Sequence, residues 1–242
     1  MNTFSSSSSS VANAGSTGLR DYMVYVYQSM ALALGITGIV AFVLYQAVLA
    51  SPELGRFLFQ SPFKFVVMFA PFVLVLVLGF KIGSFSFEKA RGMFYAYSAL
   101  MGLSLSAIFL VYTGTSIARA FFVTAGTFAA MSLYGYTTKK DLTALGSFLM
   151  MAVVGLIIAS IVNIFLKSSG MSFALSALSV LIFTGLTAYD VQKIKETYYH
   201  YQSGSIDDET IKKVAIMGAL TLYIDFVNIF VNLLHLFGEK KD

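Results

Sequence analysis

The stretch Gly218–Gly238, GALTLYIDFVNIFVNLLHLFG, decides how the chain is read. It is apolar, unbroken by proline and about as long as the ~20 residues that a spanning helix needs. One residue offends. Asp225 stands near its middle, ~11 residues from the ends of the apolar run 214–237, which at ~1.5 Å per residue is ~16 Å from either edge of a ~30 Å hydrocarbon layer. A carboxylate at that depth costs several kcal/mol unless something offsets it, so Asp225 is a functional candidate from the outset.

Composition agrees with a membrane setting. Of 242 residues, 57% are hydrophobic and 12% charged, about half the charge of a soluble domain. Seven apolar segments emerge, at roughly 22–49, 65–82, 93–113, 117–136, 145–166, 173–190 and 214–237, which predicts an all-α protein of seven transmembrane helices, or of six if the nearly fused third and fourth form one span. The domain plan is a disordered Ser-rich tail over 1–20, opening MNTFSSSSSSVANAGSTG, a transmembrane domain over 21–238, and a short polar end over 239–242. No apolar run follows a basic start before Arg20, so the tail does not resemble a signal peptide.

With seven spans, ten of the sixteen basic residues fall on the side of the N-terminus. That places the N-terminus in the cytoplasm and the C-terminus outside. In the absence of Trp, Tyr22, Tyr25, Tyr27, Tyr134 and Tyr136 are the expected interfacial anchors. Small residues at four-residue spacing, Ser98–Gly102–Ser106 and Gly126–Ala130, are expected where helices approach closely. Asn163, Asn228 and Asn232 are expected to bridge helices by hydrogen bonds. Ser205 with Asp208 resembles a capping box that starts the last helix.

Several function classes fall away. The net charge of +4 is dispersed, without the basic stripe of a nucleic-acid binder. The chain has no Cys, hence no thiol nucleophile and no thiolate metal site. His200 and His235 lie too far apart for a metal motif. The acidic run Asp207–Glu209 lacks the alternating ligands of a calcium loop and reads as a first helical turn. No nucleophile–base or phosphate-cradling motif is present. The reading is of a protein that is not an enzyme and carries no cofactor.

A second aspartate belongs with the first. FTGLTAYDVQKIK at the end of the sixth segment places Tyr189 just ahead of Asp190, as Tyr223 precedes Asp225. Asp190 is either an interfacial carboxylate paired with Lys193 one turn on or one of a facing pair. Two facing carboxylates in low dielectric hold one proton between them, and that proton makes a switch. Pairing needs the connection between the two helices to be unequal or partly unwound, because Asp225 lies ~9 Å farther from a turn near Gly204 than Asp190 does.

ALTLYIDFVNIFVNLLHLFG resembles the signature last helix of the Bax-inhibitor (transmembrane Bax-inhibitor motif) family, and TGLTAYDVQKIK resembles the helix end before it. YSALMGLSLSAIF, AAMSLYGYTTKKDL and ASIVNIFLKS are similar to its bacterial branch. The resemblance covers everything after the Ser-rich tail. It implies seven spans with a central hydrophobic seventh helix wrapped by the other six, in a bacterial inner membrane. It also implies a pH-sensitive calcium leak gated by an aspartate pair, matching Asp190 and Asp225, with calcium as the permeant ion held between the two carboxylates. In the family an arginine on the second helix is linked to the pair. This sequence departs there, offering Lys81 at the end of the second segment and Arg91 beyond a Gly/Ser-rich interruption. A different expectation is that the chain is a modulator or substrate of a membrane-anchored AAA protease, a partner that some bacterial relatives have.

Overall fold

In the computed structural model the backbone is described for residues 5–203 and 207–241, and side chains for 18–202 and 207–241. The expected disorder of the tail falls, up to residue 17, outside the described side chains. Its last three residues do not fit that expectation: Gly18, Leu19 and Arg20 are helical, and Leu19 is buried in the core. The pairing of Ser205 with Asp208 also lies outside the described residues. The cap observed is Asp207, whose carboxylate accepts the Thr210 amide at 3.0 Å.

The helices are α1 (Ser5–Ala50), α2 (Pro52–Phe59), α3 (Phe63–Lys81), α4 (Phe87–Val111), α5 (Gly114–Thr137), α6 (Thr143–Leu166), α7 (Ser169–Ser203) and α8 (Asp208–Phe237), with a 3₁₀ turn at Ile82–Ser84. Seven are long and apolar enough to cross a membrane. The short α2 is the exception, a two-turn helix in the first connection that Pro52 opens at its first position, where no amide partner is lost. Each spanning stretch begins two to six residues before its expected start. The sixth is much longer than expected, because α7 stays helical past Asp190 to Ser203.

The last helix is central. Its apolar window is 61% buried, against 6–28% for the other spans. It packs principally on α1, α4, α5 and α7, while α3 leans on α4 and α6 on α7 at the periphery. The expected wrapping by six helices is thus carried mainly by four. Outward faces of α3 and α6 carry exposed Phe, Val, Ile and Met side chains, the surface that lipid covers.

Small residues explain how close the backbones come. At Gly102 an added Cβ would stand 2.7 Å from the Thr37 carbonyl, so α1 and α4 meet there without room for a side chain. Ser98, Gly102 and Ser106 are all buried, as their spacing predicts. The Gly126–Ala130 row is exposed instead. The packed face of α5 is Ser116, Ala120, Thr124, Phe128 and Ser132, also at four-residue spacing but rotated from the expected row. Two rows of small residues compete on α5, and only contact with α7 and α8 decides between them.

Where α1, α4 and α8 meet, Thr37 Oγ1 lies 2.8 Å from the Ser98 carbonyl and 2.6 Å from the Tyr223 hydroxyl. Tyr223 is fully buried, and the Phe94 and Tyr97 rings stand edge-on to it at 5.9 and 5.6 Å. Of the expected interfacial tyrosines, Tyr134 is exposed, but Tyr22 is buried against Tyr198 with ring centroids 4.9 Å apart. The extended α7 supplies that partner, which turns a surface ring into a core one.

The two ends of the bundle differ. One end gathers the α3–α4, α5–α6 and α7–α8 connections, and there Glu209 Oε1 accepts the Phe87 amide at 3.0 Å. At the other end the chain following α8 is strapped to the α4–α5 turn. Glu239 accepts the Thr113 amide at 3.0 Å, and Lys241 Nζ donates to the Phe109 carbonyl at 2.7 Å and the Tyr45 hydroxyl at 3.0 Å.

Candidate functional site: a carboxyl pair on a shared cavity

Asp190 owes its aim to how α7 is held. Two residues on, the buried Gln192 donates from Nε2 to the Lys140 carbonyl and accepts the Leu142 amide at Oε1, both at 2.8 Å. One side chain thereby satisfies two backbone groups of the α5–α6 turn. Lys195 Nζ donates to the Tyr136 carbonyl at 2.9 Å. Gly135 of α5 lies directly against the Ala188 backbone, where any side chain would overlap it. These contacts fix the rotation of α7 about its axis and leave Asp190 among the residues that face α8.

The two carboxyl groups meet: Asp190 and Asp225 are within hydrogen-bonding contact of each other. Asp225 is 3% exposed, and its Oδ2 is buried without a hydrogen-bond partner among the described residues. Both helices run unbroken past their aspartates, α7 to Ser203 and α8 from Asp208, over unequal lengths. Asp190 precedes the end of α7 by roughly 13 residues and Asp225 follows the start of α8 by roughly 17, a stagger of ~6 Å that the two continuous helices absorb.

Both carboxyls line a cavity of about 550 Å³ between α7 and α8. Its other polar linings are Tyr22, Tyr189, Lys193, Thr197 and Thr221. The Thr221 and Thr197 hydroxyls donate to the carbonyls four residues back, Met217 at 3.1 Å and Lys193 at 2.7 Å, as hydroxyls on apolar helices commonly do. The Tyr22 hydroxyl is buried without a partner among the described residues.

Of the candidate site residues, then, the fold unites Asp190 and Asp225 and leaves the two cations elsewhere. Arg91 pairs with Glu88 at 2.6 Å on the exposed start of α4, its guanidinium over the Phe87 ring. Lys81 is exposed at the end of α3. Neither lines the cavity; the cation that does is Lys193. It forms no ion pair with Asp190 and lies 5.6 Å from the Tyr189 ring centroid. In the sequence Lys193 reads as a surface partner of Asp190, while Thr221 and Gln192 are not among the expected site residues. Spacing holds a signal for two of them, since Thr221 is one turn before Asp225 and Lys193 one turn after Asp190. Gln192 carries none, because its partners are backbone groups of another connection.

Among the described residues no three His, Asp or Glu side chains gather as a metal cage. A resident Ca²⁺ takes six to eight oxygens, more than two carboxyls with scattered hydroxyls supply.

Seven apolar helices with the last one buried among the other six, and an aspartate on each of the last two, fit an integral membrane protein of the Bax-inhibitor type. Its sequence bears this out: the family described as "Inhibitor of apoptosis-promoting Bax1" matches residues 19–242, and the chain belongs to that family. It is 46% identical to the uncharacterized protein RP147 of Rickettsia prowazekii, over 93% of this chain and 92% of that one. It is 46% identical to an uncharacterized protein of Caulobacter vibrioides, over 93% and 91%. It is 44% identical to inner membrane protein YbhL of Escherichia coli K12, over 93% and 94%.

Proposed function

We propose that the protein is a pH-sensitive leak channel for a hard cation, calcium in the first instance, gated by the Asp190–Asp225 pair. The observation that carries this reading is the meeting of two carboxyls from different helices on the wall of a cavity at the depth of the hydrocarbon layer. Two carboxyls in contact at low dielectric do not both ionise, so the pair keeps a proton and titrates as a unit. Holding it, they bond to each other and close the seam between α7 and α8. Releasing it leaves an oxygen-rich negative site, which draws α7 and α8 apart and attracts a hard cation. Lys193, on the same cavity, is the charge that opposes cation entry until the pair is ionised. The same reading puts the protein in an inner membrane with its N-terminus in the cytoplasm, as the distribution of Lys and Arg directs.

The test is purified protein in liposomes with a calcium-sensitive dye trapped inside, across a pH series. Flux without any added partner is expected, and Asp225→Asn, which mimics a permanently protonated residue, should lose most of its pH dependence. Unchanged pH dependence in a less stable Asp225→Asn protein would return the residue to a packing role. Orientation is tested separately. Because the chain has no Cys, Gln202→Cys and Lys240→Cys give single reactive sites at opposite ends. An impermeant thiol reagent should reach the second but not the first in intact spheroplasts.

A further inference from the structure

Asn228 and Asn232 do not bridge helices. Each Nδ2 donates to a carbonyl of its own helix, Asn228 to Ile224 and Asn232 to Asn228, both at 2.9 Å. Their carboxamide oxygens have no donor among the described residues, and both side chains are half-buried. Helix glue, the ordinary explanation of an intramembrane Asn, is therefore missing for these two. Asn163 shows what glue looks like, with its Nδ2 on Ser172 Oγ at 2.7 Å between α6 and α7.

The two asparagines fall on one line. Thr221, Asp225, Asn228, Asn232 and His235 follow one another at intervals of four, three, four and three. At ~100° per residue they share an arc of about 80° on α8 and run ~21 Å along it. Between residues 214 and 237 the rest of that helix is almost wholly apolar, with Leu222, Tyr223 and Ile229 fully buried on other faces. At two points the line touches α7: Asp225 meets Asp190, and His235 Nδ1 lies 3.4 Å from the buried Ser176 Oγ. What lies between those points, Asn228 and Asn232, follows the same seam. At its inner end is the Asp225 Oδ2 that has no partner.

We propose that this polar line is the outer half of the cation path, with Asn228 and Asn232 as the oxygens that replace water around the ion between the aspartate pair and the C-terminal end of α8. The inner half is the cavity already described, from Thr221 past Lys193 to Thr197. Amide oxygens suit that role, because a hard cation in transit needs neutral oxygen ligands that bind it without trapping it. Ser176 and His235 stand at the outer mouth. The proposal rests on the leak reading, but its first test does not.

That test uses the natural absence of Cys. Asn228→Cys, Asn232→Cys and, as a dry control on another face, Ile229→Cys are placed in nanodiscs, with both membrane faces open to reagent. A methanethiosulfonate carrying a trimethylammonium group should modify the first two at least about tenfold faster than the third, since each tenfold step in rate is only ~1.4 kcal/mol of barrier. Equal, slow modification of all three, with N-ethylmaleimide still reacting at 228 and 232, would mean a dry seam and overturn the proposal. In liposomes Asn232→Leu should cut calcium flux by roughly the same factor, without moving the pH at which flux changes; undiminished flux would equally overturn it. Failure of the leak reading looks different. Asp225→Asn then leaves the pH profile alone, while the cysteine pattern still separates the wet line from the dry face.

Discussion

Two places in the bundle bury polar groups at membrane depth, and they do it in opposite ways. At the α1–α4–α8 junction, the Thr37 hydroxyl, the Ser98 carbonyl and the Tyr223 hydroxyl satisfy one another within 2.8 Å, packed among the rings of Phe94 and Tyr97. At the α7–α8 seam, two carboxyls face each other on an open cavity and one oxygen has no partner. A closed hydrogen-bonded group is a fastening. An acid pair with an unsatisfied oxygen is a cost that packing alone would remove, because a buried charged group is worth less to stability than a well-packed apolar one. The contrast separates polar residues that hold the fold from polar residues that packing does not explain.

The sharpest way to break the comparison is at the pair. Asp225→Asn and Asp190→Asn should each remove most of the pH dependence of flux, and the double variant should add little, since residues acting as one unit are not additive. Neither single change should lower the thermal midpoint in detergent by more than a few degrees. A large loss of stability with intact pH dependence would make the seam a second fastening.

Overfilling the closed junction should do the reverse. Gly102→Leu drives a side chain into the Thr37 carbonyl and Val40, and overpacking of this kind costs ~1–3 kcal/mol. Lower yield and a lower thermal midpoint are expected, with the surviving protein keeping the wild-type pH profile. Thr37→Val is milder. It removes one hydroxyl from the group and should cost about 0.6–2 kcal/mol, the range for hydrogen bonds between membrane helices. Chemical denaturation reads that change, and a shift in the pH profile would contradict the assignment of Thr37 to structure.

The smallest effect is expected at the cap of α8, outside both regions. Hydrogen bonds from the Thr210 hydroxyl and amide hold the Asp207 carboxyl below its ordinary range. A lowered value in the folded state means the cap stabilises above the unfolded value and is lost as pH falls through the folded one. Asp207→Ala should speed hydrogen exchange at the Thr210 and Ile211 amides at neutral pH, and the difference from wild type should fade on acidification. The seam should titrate without regard to it.

Much of this was legible in the chain. Seven runs of apolar residues near twenty long have only one arrangement in lipid that satisfies their backbones, so the spans and their number follow from local composition. Asp225 stands out for the same reason, since a lone carboxylate in an apolar run is conspicuous whatever surrounds it. Asp190 was legible only as an alternative: its neighbour Lys193 offered an equally good surface explanation. What the sequence by itself determined, then, is which segments enter the membrane and that one acid enters with them. The tertiary structure alone decided the rest: that α7 continues to Ser203 and buries Tyr22, that α5 packs by the row through Ala120 and Thr124 rather than through Gly126, and that Lys193 rather than Arg91 shares the cavity. Each depends on how a helix is rotated against its neighbours. In lipid every face of an apolar helix is equally soluble, so the pattern of hydrophobic residues that would set that rotation in water says little here, and the close contacts of small residues and a few buried hydrogen bonds set it instead.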